Sequence, residues 1–491
     1  MPCQTPNGPP GPPTTAPAAS PDAIASPACP ARPAASGRLK VLCAMSGGVD
    51  SSCAALLLKR EGHEVIGATM RLLDAPAGED ACGNRSCCSA RDIEDARAAC
   101  LRLDADFMVF NFAAAFWEEV VRPFRESYLV GMTPNPCILC NREMKFRRLR
   151  ERAEILGCSK MATGHYARIA RDGGRWLLLK ALDADKDQSY VLYGMTQEEL
   201  SGTLFPLGGL TKGEVRELCA QAGLPNARKP ESQDICFVPD GDYARFIASD
   251  PEGPAGRWTA SCPEGRGLPE DGGRYTAGEY RFEGDPGAGN DRHTPGGTAT
   301  EGGTAPEGGT PSESGTRPEC GTIAGRHRAD GGRHAGFEGP TRTRTGWLPG
   351  PGDILSPDGR VIGRHKGFWR YTVGQRKGLG LPGPEPSYVL GIDPATNTVT
   401  VGRQADLATP SAIVGQLNLI SIAELAGPME VSCKIRYRQT EKPALLEPLA
   451  DGRALVTFLA PLKAVAPGQA AVFYRGEVVV GGGTILGPGQ P

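Results

Sequence analysis

The sequence predicts an α/β fold: a doubly wound parallel-sheet domain, then a small central β domain, then a C-terminal β-barrel domain. Three observations carry this. Between residues 38 and 250, short apolar runs alternate with segments of helical period, as in a parallel sheet wound with helices. From about Pro251 to Trp347 the composition collapses into Gly, Thr and scattered charge, with no period and almost no large apolar side chains. After Pro351 short apolar runs recur between turn signals without helical segments.

In chain order, residues 1–37 are rich in Pro, Ala and Ser and read as a disordered extension. Leu39–Met45 is an apolar run suited to a buried strand. Ser46–Asp50 is a glycine loop, Ser51–Glu61 has helical composition, and His63–Met70 reads as a second strand. This β-loop-α-β unit opens the first domain, 38–250. Ser89–Leu103 is an amphipathic helix with Ser89 as N-cap and Asp92 three residues on. Asp106–Asn111 (strand), Ala113–Leu129 (helix), Asn141–Leu156 (helix), Lys160–Thr163 (strand) and Lys212–Gly223 (helix) follow. Residues 251–346 read as a disordered insertion, because a compact domain does not carry a structureless loop of that length. The insertion separates the first domain from a central domain, 347–409, and a barrel, 410–491. Their strands are expected at Arg360–Gly363, Tyr388–Asp393, Thr398–Gly402, Glu430–Ile435, Ala454–Phe458, Ala470–Tyr474 and Val478–Thr484. Both low-complexity segments are expected to be dispensable for activity.

The 491 residues suffice for two or three domains. A formal charge of -2 gives no global sign of a nucleic-acid partner, so any basic surface is local. The first residues lack the charged and apolar regions of a secretory signal, and no run is long and apolar enough to span a membrane. A cytoplasmic, reducing location is expected, where the 16 cysteines serve as core, metal ligands or catalytic groups.

Ser46-Gly47-Gly48-Val49-Asp50-Ser51-Ser52 joins a strand to a helix. Its glycines let backbone N–H groups and the helix N-terminus approach an anion, and its hydroxyls add donors. It lacks the lysine of a Walker loop, whose chemistry lies at the terminal phosphate. A Ser/Gly cradle instead suits a pyrophosphate that departs, with Asp50 placed to position magnesium. The plain alternative is a strand–helix turn that only uses glycine. The loop resembles the PP-loop of the N-type ATP pyrophosphatases, whose members cleave ATP to AMP and pyrophosphate and adenylate an oxygen.

Thr133-Pro134-Asn135-Pro136-Cys137-Ile138-Leu139-Cys140 is a proline-rich loop running into a helix crowded with Arg142, Lys145, Arg147, Arg148, Arg150 and Arg152. A cysteine at a helix N-terminus among arginines favours its thiolate, and Cys140 reads as that residue. The helix is expected to meet phosphates, or to be a solvated charged face. Cys236 lies far downstream. The Cys137-x-x-Cys140 pair could also be half of a zinc site; Cys137, Cys140 and Cys236 could be ligands of an iron–sulfur cluster, or inert core filler. Cys43, Cys53, Cys100, Cys158, Cys219 and Cys433 read as core. Cys82, Cys87 and Cys88 are grouped in a loop without an assigned role.

Read together, SGGVDSS, TPNPCILCN with REMKF, ATGHYAR, KDQSYVLY, SQDICF, YTVGQRKGL and IRYR resemble the tRNA-specific 2-thiouridylase family. The resemblance implies that Ala44, Met45, Ser46, Gly47, Gly48, Val49, Asp50, Ser51 and Met70 hold ATP, with Gly164 against the nucleotide. It implies that Asn135, Pro136 and Cys137 lie against the target base, that Cys140 is the nucleophile and that Cys236 carries a persulfide. It also implies that His165, Lys186, Asp187, Gln188, Arg436, Tyr437 and Gln469 touch tRNA. ATP with Mg2+ is the implied cofactor set; an iron–sulfur cluster is the less favoured alternative. Partners would be the anticodon loop of a tRNA and a cysteine desulfurase or sulfur-relay protein, with no membrane. Two other classes compete: a PP-loop ligase that adenylates a carboxylate, and an RNA-binding module with a relic nucleotide site. The paired cysteines and the intact Asp50 argue against them.

Overall fold

A computed structural model describes residues 37–73, 89–230, 235–238, 241–249 and 348–489, and the backbone of four short strands between residues 273 and 347. Most of the two low-complexity segments, the cysteines at 3, 29, 82, 87, 88, 262 and 320, and Glu231–Asp234 lie outside the described residues.

The first domain opens with β1 (Lys40–Ala44), α1 (Val49–Arg60), β2 (Glu64–Arg71), α2 (Ala90–Arg102) and β3 (Asp106–Asn111). Ser89 caps α2, its hydroxyl accepting from Asp92 N–H in a reciprocal capping box, as the sequence signature predicts. Next come α3 (Ala113–Phe116), a π-helical stretch Trp117–Val121 and α4 (Arg122–Leu129). A second helical run comprises α5 (Pro136–Leu139), a π-helical stretch Cys140–Leu149 and α6 (Arg150–Ile155). The helix expected over Asn141–Leu156 therefore starts five residues earlier than the charge pattern suggests. Asn135 caps it, and Pro136 takes the first helical position, where its missing N–H costs nothing. Then follow β4 (Lys160–Thr163), β5 (Arg168–Asp172), β6 (Arg175–Leu179), α7 (Ser189–Leu192), α8 (Gln197–Gly202), β7 (Thr203–Leu204), α9 (Lys212–Gln221) and α10 (Tyr243–Ala248).

The parallel strands lie in the order β7-β4-β1-β2-β3. Successive strand residues face opposite cores. Leu42, Ile66, Met108 and Met161 join one apolar cluster, while Val41, Val65, Phe107 and Ala162 join the other. A sheet buried on both faces is what a doubly wound fold requires. The chain runs outward from β1 to β3, then returns to place β4 on the other side of β1. The order thus reverses between β1 and β4, and the loops after those two strands meet at their carboxyl ends.

Within 251–346 the backbone forms a hairpin, β8 (Gly273–Thr276) and β9 (Glu279–Phe282), with β8 antiparallel on β3, and β10 (Arg342–Thr343) pairs with β11 (Gly346–Trp347). The central sheet has the order β13-β12-β15-β14: β12 (Gly352–Leu355), β13 (Val361–His365), β14 (Tyr388–Asp393) and β15 (Thr398–Gly402). The last six strands are β16 (Ala408–Leu419), β17 (Met429–Lys434), β18 (Lys442–Pro448), β19 (Ala454–Lys463), β20 (Ala470–Arg475) and β21 (Val478–Pro488). They run β16-β19-β18-β17-β20-β21, and β21 pairs back onto β16, closing an antiparallel barrel filled by Val414, Cys433, Leu446, Phe458 and Phe473. The β5–β6 hairpin of the first domain joins this sheet where Leu179 meets Val478. Sequence reading placed no strand at β5, β6, β12, β16 or β18. Among the described residues no helix is long and apolar enough to cross a membrane.

Candidate active site

The loop after β1 is braced by its own hydroxyls. Ser46 N–H donates to Ser51 Oγ (3.1 Å), and the Ser51 hydroxyl donates to the Gly48 carbonyl (3.2 Å). Gly48 caps α1 in extended geometry with no side chain on the first-turn N–H groups, which leaves the end suited to an anion. Gly47 has φ +69°, and a Cβ there would lie 2.2 Å from the Asp92 carbonyl oxygen, so glycine is required twice over. The loop carbonyls are held inward by residues that sequence reading missed. Asn226 Nδ2 donates to Gly47 O (3.0 Å), Gly48 O (3.3 Å) and Ser52 Oγ (2.8 Å). Lys229 Nζ donates to Gly47 O (3.2 Å) and pairs with Asp92 and Asp95. Burial opposes the Lys229 charge, but hydrogen bonds to the two carboxylates outweigh it and hold its pKa above the ordinary lysine value. Nothing in the stretch Asn226–Lys229 forms a local motif.

The loop after β4 closes on this one. A Cβ on Gly164 would lie 2.7 Å from Ser51 N and 2.8 Å from Asp50 C. Gly164 thus lets β4 bring His165 against the nucleotide loop. Asp50 is anchored at one oxygen: its Oδ1 accepts from Lys212 Nζ (2.6 Å) and Tyr166 OH (2.8 Å). Met70, at the end of β2, packs partly buried on the core beside the loop.

The sulfur half is assembled beside it. Asn135 Oδ1 accepts from Cys137 N–H (3.1 Å), leaving Cys137 exposed on the first turn of α5 over a buried Pro136. Cys140 does not sit at the helix N-terminus, as its arginine-rich context suggests. It begins the π-helical stretch one turn further in, half-buried. Such stretches occur often at functional sites. Cys236 is also half-buried, and both thiols pack against the same apolar core. Its neighbour Phe237 fixes it there, with ring centroids 5.7 Å from Phe116, 5.2 Å from Phe124 and 5.3 Å from Phe246. Among the described residues no three of His, Cys, Asp and Glu are grouped as metal ligands. Cys43, Cys53, Cys100, Cys158, Cys219 and Cys433 are buried, as expected of core.

Contacts tie the two halves together. His165 is buried, with Nδ1 2.7 Å from Thr163 Oγ1 and Nε2 3.4 Å from Lys145 Nζ. Burial, and then the Lys145 charge, keep the imidazole neutral well below its ordinary pKa. Lys145 also donates to Asn141 Oδ1 (2.9 Å), next to Cys140.

Several expected RNA contacts are turned inward. Asp187 is buried and accepts from Ala181 N–H, Ser189 N–H and the Ser189 hydroxyl. Gln188 exchanges hydrogen bonds with the Tyr166 backbone, both 2.9 Å. Of that triplet, Lys186 alone is a half-exposed charge. His165 is likewise enclosed, between Phe146 and Phe205. Gln469 donates to the Thr133 carbonyl (2.8 Å). Arg436 is exposed and donates to Ala464 O (2.7 Å), and exposed Tyr437 lies 6.1 Å from the Tyr190 ring. Several arginines of the basic helix are ion-paired: Arg147 and Arg148 share Glu119, Arg147 also meets Glu143, and Arg150 meets Glu154 and Glu198.

Three family models match in chain order: a tRNA methyl transferase HUP domain over residues 39–240, a tRNA methyl transferase PRC-barrel domain over 347–403, and an aminomethyltransferase beta-barrel domain over 411–485. The chain is 40% identical over 91% of its length to the tRNA-specific 2-thiouridylase MnmA of Heliobacterium modesticaldum, covering 92% of that protein. It is 40% identical to the protein of that name from Geotalea uraniireducens (91% of this chain, 95% of that one). It is 38% identical to that from Pelotomaculum thermopropionicum (92% and 99%). With that identity along nearly the whole length, the chain belongs to the tRNA-specific 2-thiouridylase family.

Proposed function

We propose that this chain is an ATP-dependent tRNA sulfurtransferase that replaces the C2 oxygen of a wobble uridine with sulfur. The C2 carbonyl is urea-like and its oxygen leaves poorly. Attack of that oxygen on the α-phosphorus of ATP expels pyrophosphate and turns the oxygen into part of AMP, a good leaving group. The N–H groups of Gly47–Ser51 and the α1 N-terminus hold the departing pyrophosphate. Magnesium, carried on the nucleotide phosphates, supplies charge neutralisation there. Asp50 acts on that site by anchoring Lys212 and Tyr166.

Sulfur comes from a persulfide on Cys236, loaded by a cysteine desulfurase or a relay protein. Its terminal sulfur attacks C2 and AMP departs. Cys140 thiolate then attacks the Cys236 sulfur, the S–S bond breaks, and its electrons stay with the sulfur left on the base. A Cys140–Cys236 disulfide remains, which an external thiol reduces. The base leaves its stack to reach this site, which a single-stranded anticodon loop permits at low cost. No observation favours the cluster-dependent route.

The observation that carries this reading is the path of contacts from loop to thiol: Ser51 against Gly164, His165 against Lys145, and Lys145 on Asn141 beside Cys140. The test is nucleoside mass spectrometry of tRNA incubated with the protein, ATP, magnesium and a persulfide donor. The expected products are 2-thiouridine, AMP and pyrophosphate, with no thiouridine from Cys236→Ala. An inactive wild type, or equal product from Cys236→Ala, refutes the reading.

A further inference from the structure

The segment leading into Asn135–Cys137 is held from outside its own domain. Thr133 N–H donates to Pro467 O (2.7 Å), and the Thr133 carbonyl accepts from Gln469 Nε2 (2.8 Å), both on the barrel. Thr133 Oγ1 donates to Thr372 Oγ1 (3.4 Å), on the central domain. Two glycines let the domains approach this closely. Gly131 has φ +73°, and a Cβ there would lie 2.9 Å from Pro394 Cγ and 3.2 Å from Ile392 Cγ2 of the central domain. Gly468 has φ +89°, and a Cβ there would lie 2.8 Å from Thr133 N and 2.9 Å from Met132 Cβ. Behind the loop, Tyr243 OH donates to Arg370 O (2.9 Å) while its ring stacks on Tyr128 at 4.9 Å.

We infer that Gln469 is a positioning residue: with Thr133 it sets the loop that presents Cys137 and Cys140. The barrel and the central domain thereby decide where the sulfur loop stands, and the first domain alone does not. Three facts point this way. One Gln469 amide N–H is already committed to Thr133, all three polar atoms of Thr133 are held by other domains, and both glycines at the junction are required by close approach. Adjacent Ala466–Ile485 backbone bonds keep Gln469 in place independently of its side chain: Gln469 N–H donates to Ala466 O, and Ile485 N–H donates to Gln469 O.

The inference rests on the proposed sulfur transfer for its activity readout. The full chain is compared with Gln469→Leu, which keeps the bulk and removes the donor. The expected result is a kcat for thiolation lower by about 10- to 100-fold, as misplacement of a reacting group produces. The KM for ATP and the tRNA dissociation constant should be unchanged. A raised tRNA dissociation constant with kcat retained would make Gln469 an RNA contact and overturn the inference; so would an unchanged kcat. Gly468→Ala is the second variant, since it pushes on Thr133 from the barrel without altering any polar group. It should give the same split, and Thr133→Ser should retain the kcat that Thr133→Val lowers. Iodoacetamide labelling of Cys140, read by peptide mass spectrometry without tRNA, supplies a turnover-free arm. Its rate should change severalfold in Gln469→Leu, and an unchanged rate counts against the inference. A wild type that makes no thiouridine defeats the proposed function yet leaves this arm readable.

Discussion

The two halves of the site are built in opposite ways. The nucleotide loop is enclosed by its own domain: Asn226, Lys229, Asp92, Lys212, Tyr166 and Gly164 all belong to the same sheet-and-helix unit. The loop before Cys137 is held by two other domains, the barrel through Pro467 and Gln469 and the central domain through Thr372. A phosphate cradle is an arrangement of backbone N–H groups, and the surrounding unit can hold that shape permanently. In the proposed reaction, a thiol that meets a flipped base would gain from being set by several domains at once. The difference predicts that damage to the first half is local and damage to the second spreads.

The largest effect tests whether the halves are separable. Cys140→Ala should abolish thiouridine formation while ATP still raises the melting temperature as in wild type, because only the folded state binds the nucleotide. Loss of the ATP-induced shift in that variant would show the halves to be one unit. Next comes the cradle itself. Gly47→Ala drives a Cβ into the Asp92 carbonyl at a left-handed φ, and should remove ATP-induced stabilisation and cost about 1–3 kcal/mol in urea unfolding. Lys229→Met strands two carboxylates and a carbonyl. It should destabilise by about 1–2 kcal/mol, the low end because the ion pairs are partly hydrated, and raise the KM for ATP more than that for tRNA.

The smallest effect concerns the bridge between the halves. His165 has a folded pKa held well below its ordinary value by burial and then by Lys145. Below the unfolded value of about 6.5 the unfolded chain takes up a proton that the folded chain refuses, so stability falls as pH drops and is flat above it. Between about pH 7.5 and pH 5.5 this contributes a loss of about 1 kcal/mol, which should be absent in His165→Gln. An unchanged slope in that variant would place the acid sensitivity elsewhere.

What could be read from the chain follows the same division. The nucleotide loop was legible because its function resides in seven consecutive residues between a strand and a helix. Strands β3, β4, β14 and β15 were found at their observed bounds, where alternation or an apolar run lies between clear turn signals. The partners that shape the loop were not legible, because Asn226 and Lys229 act across the fold and form no local pattern. The helix carrying Cys140 was begun too late, since Pro134 and Pro136 read as loop, whereas Asn135-Pro136 is a cap followed by a favoured first residue. The ion pairs of that helix were not legible, because Glu119 and Glu198 come from other elements. The hydrogen bonds that Gln469 and Asp187 make inside the protein show only in three dimensions.

The pairing of Leu179 with Val478 has a consequence for how the chain is made. At about 5–20 residues per second, the roughly 300 residues between these positions take on the order of 15–60 s to synthesise. During that interval the nascent first domain carries the β5–β6 hairpin without its β21 neighbour, an open strand edge that invites pairing with other chains. Completing the barrel removes that edge, so the last strand to emerge shields one of the earlier ones.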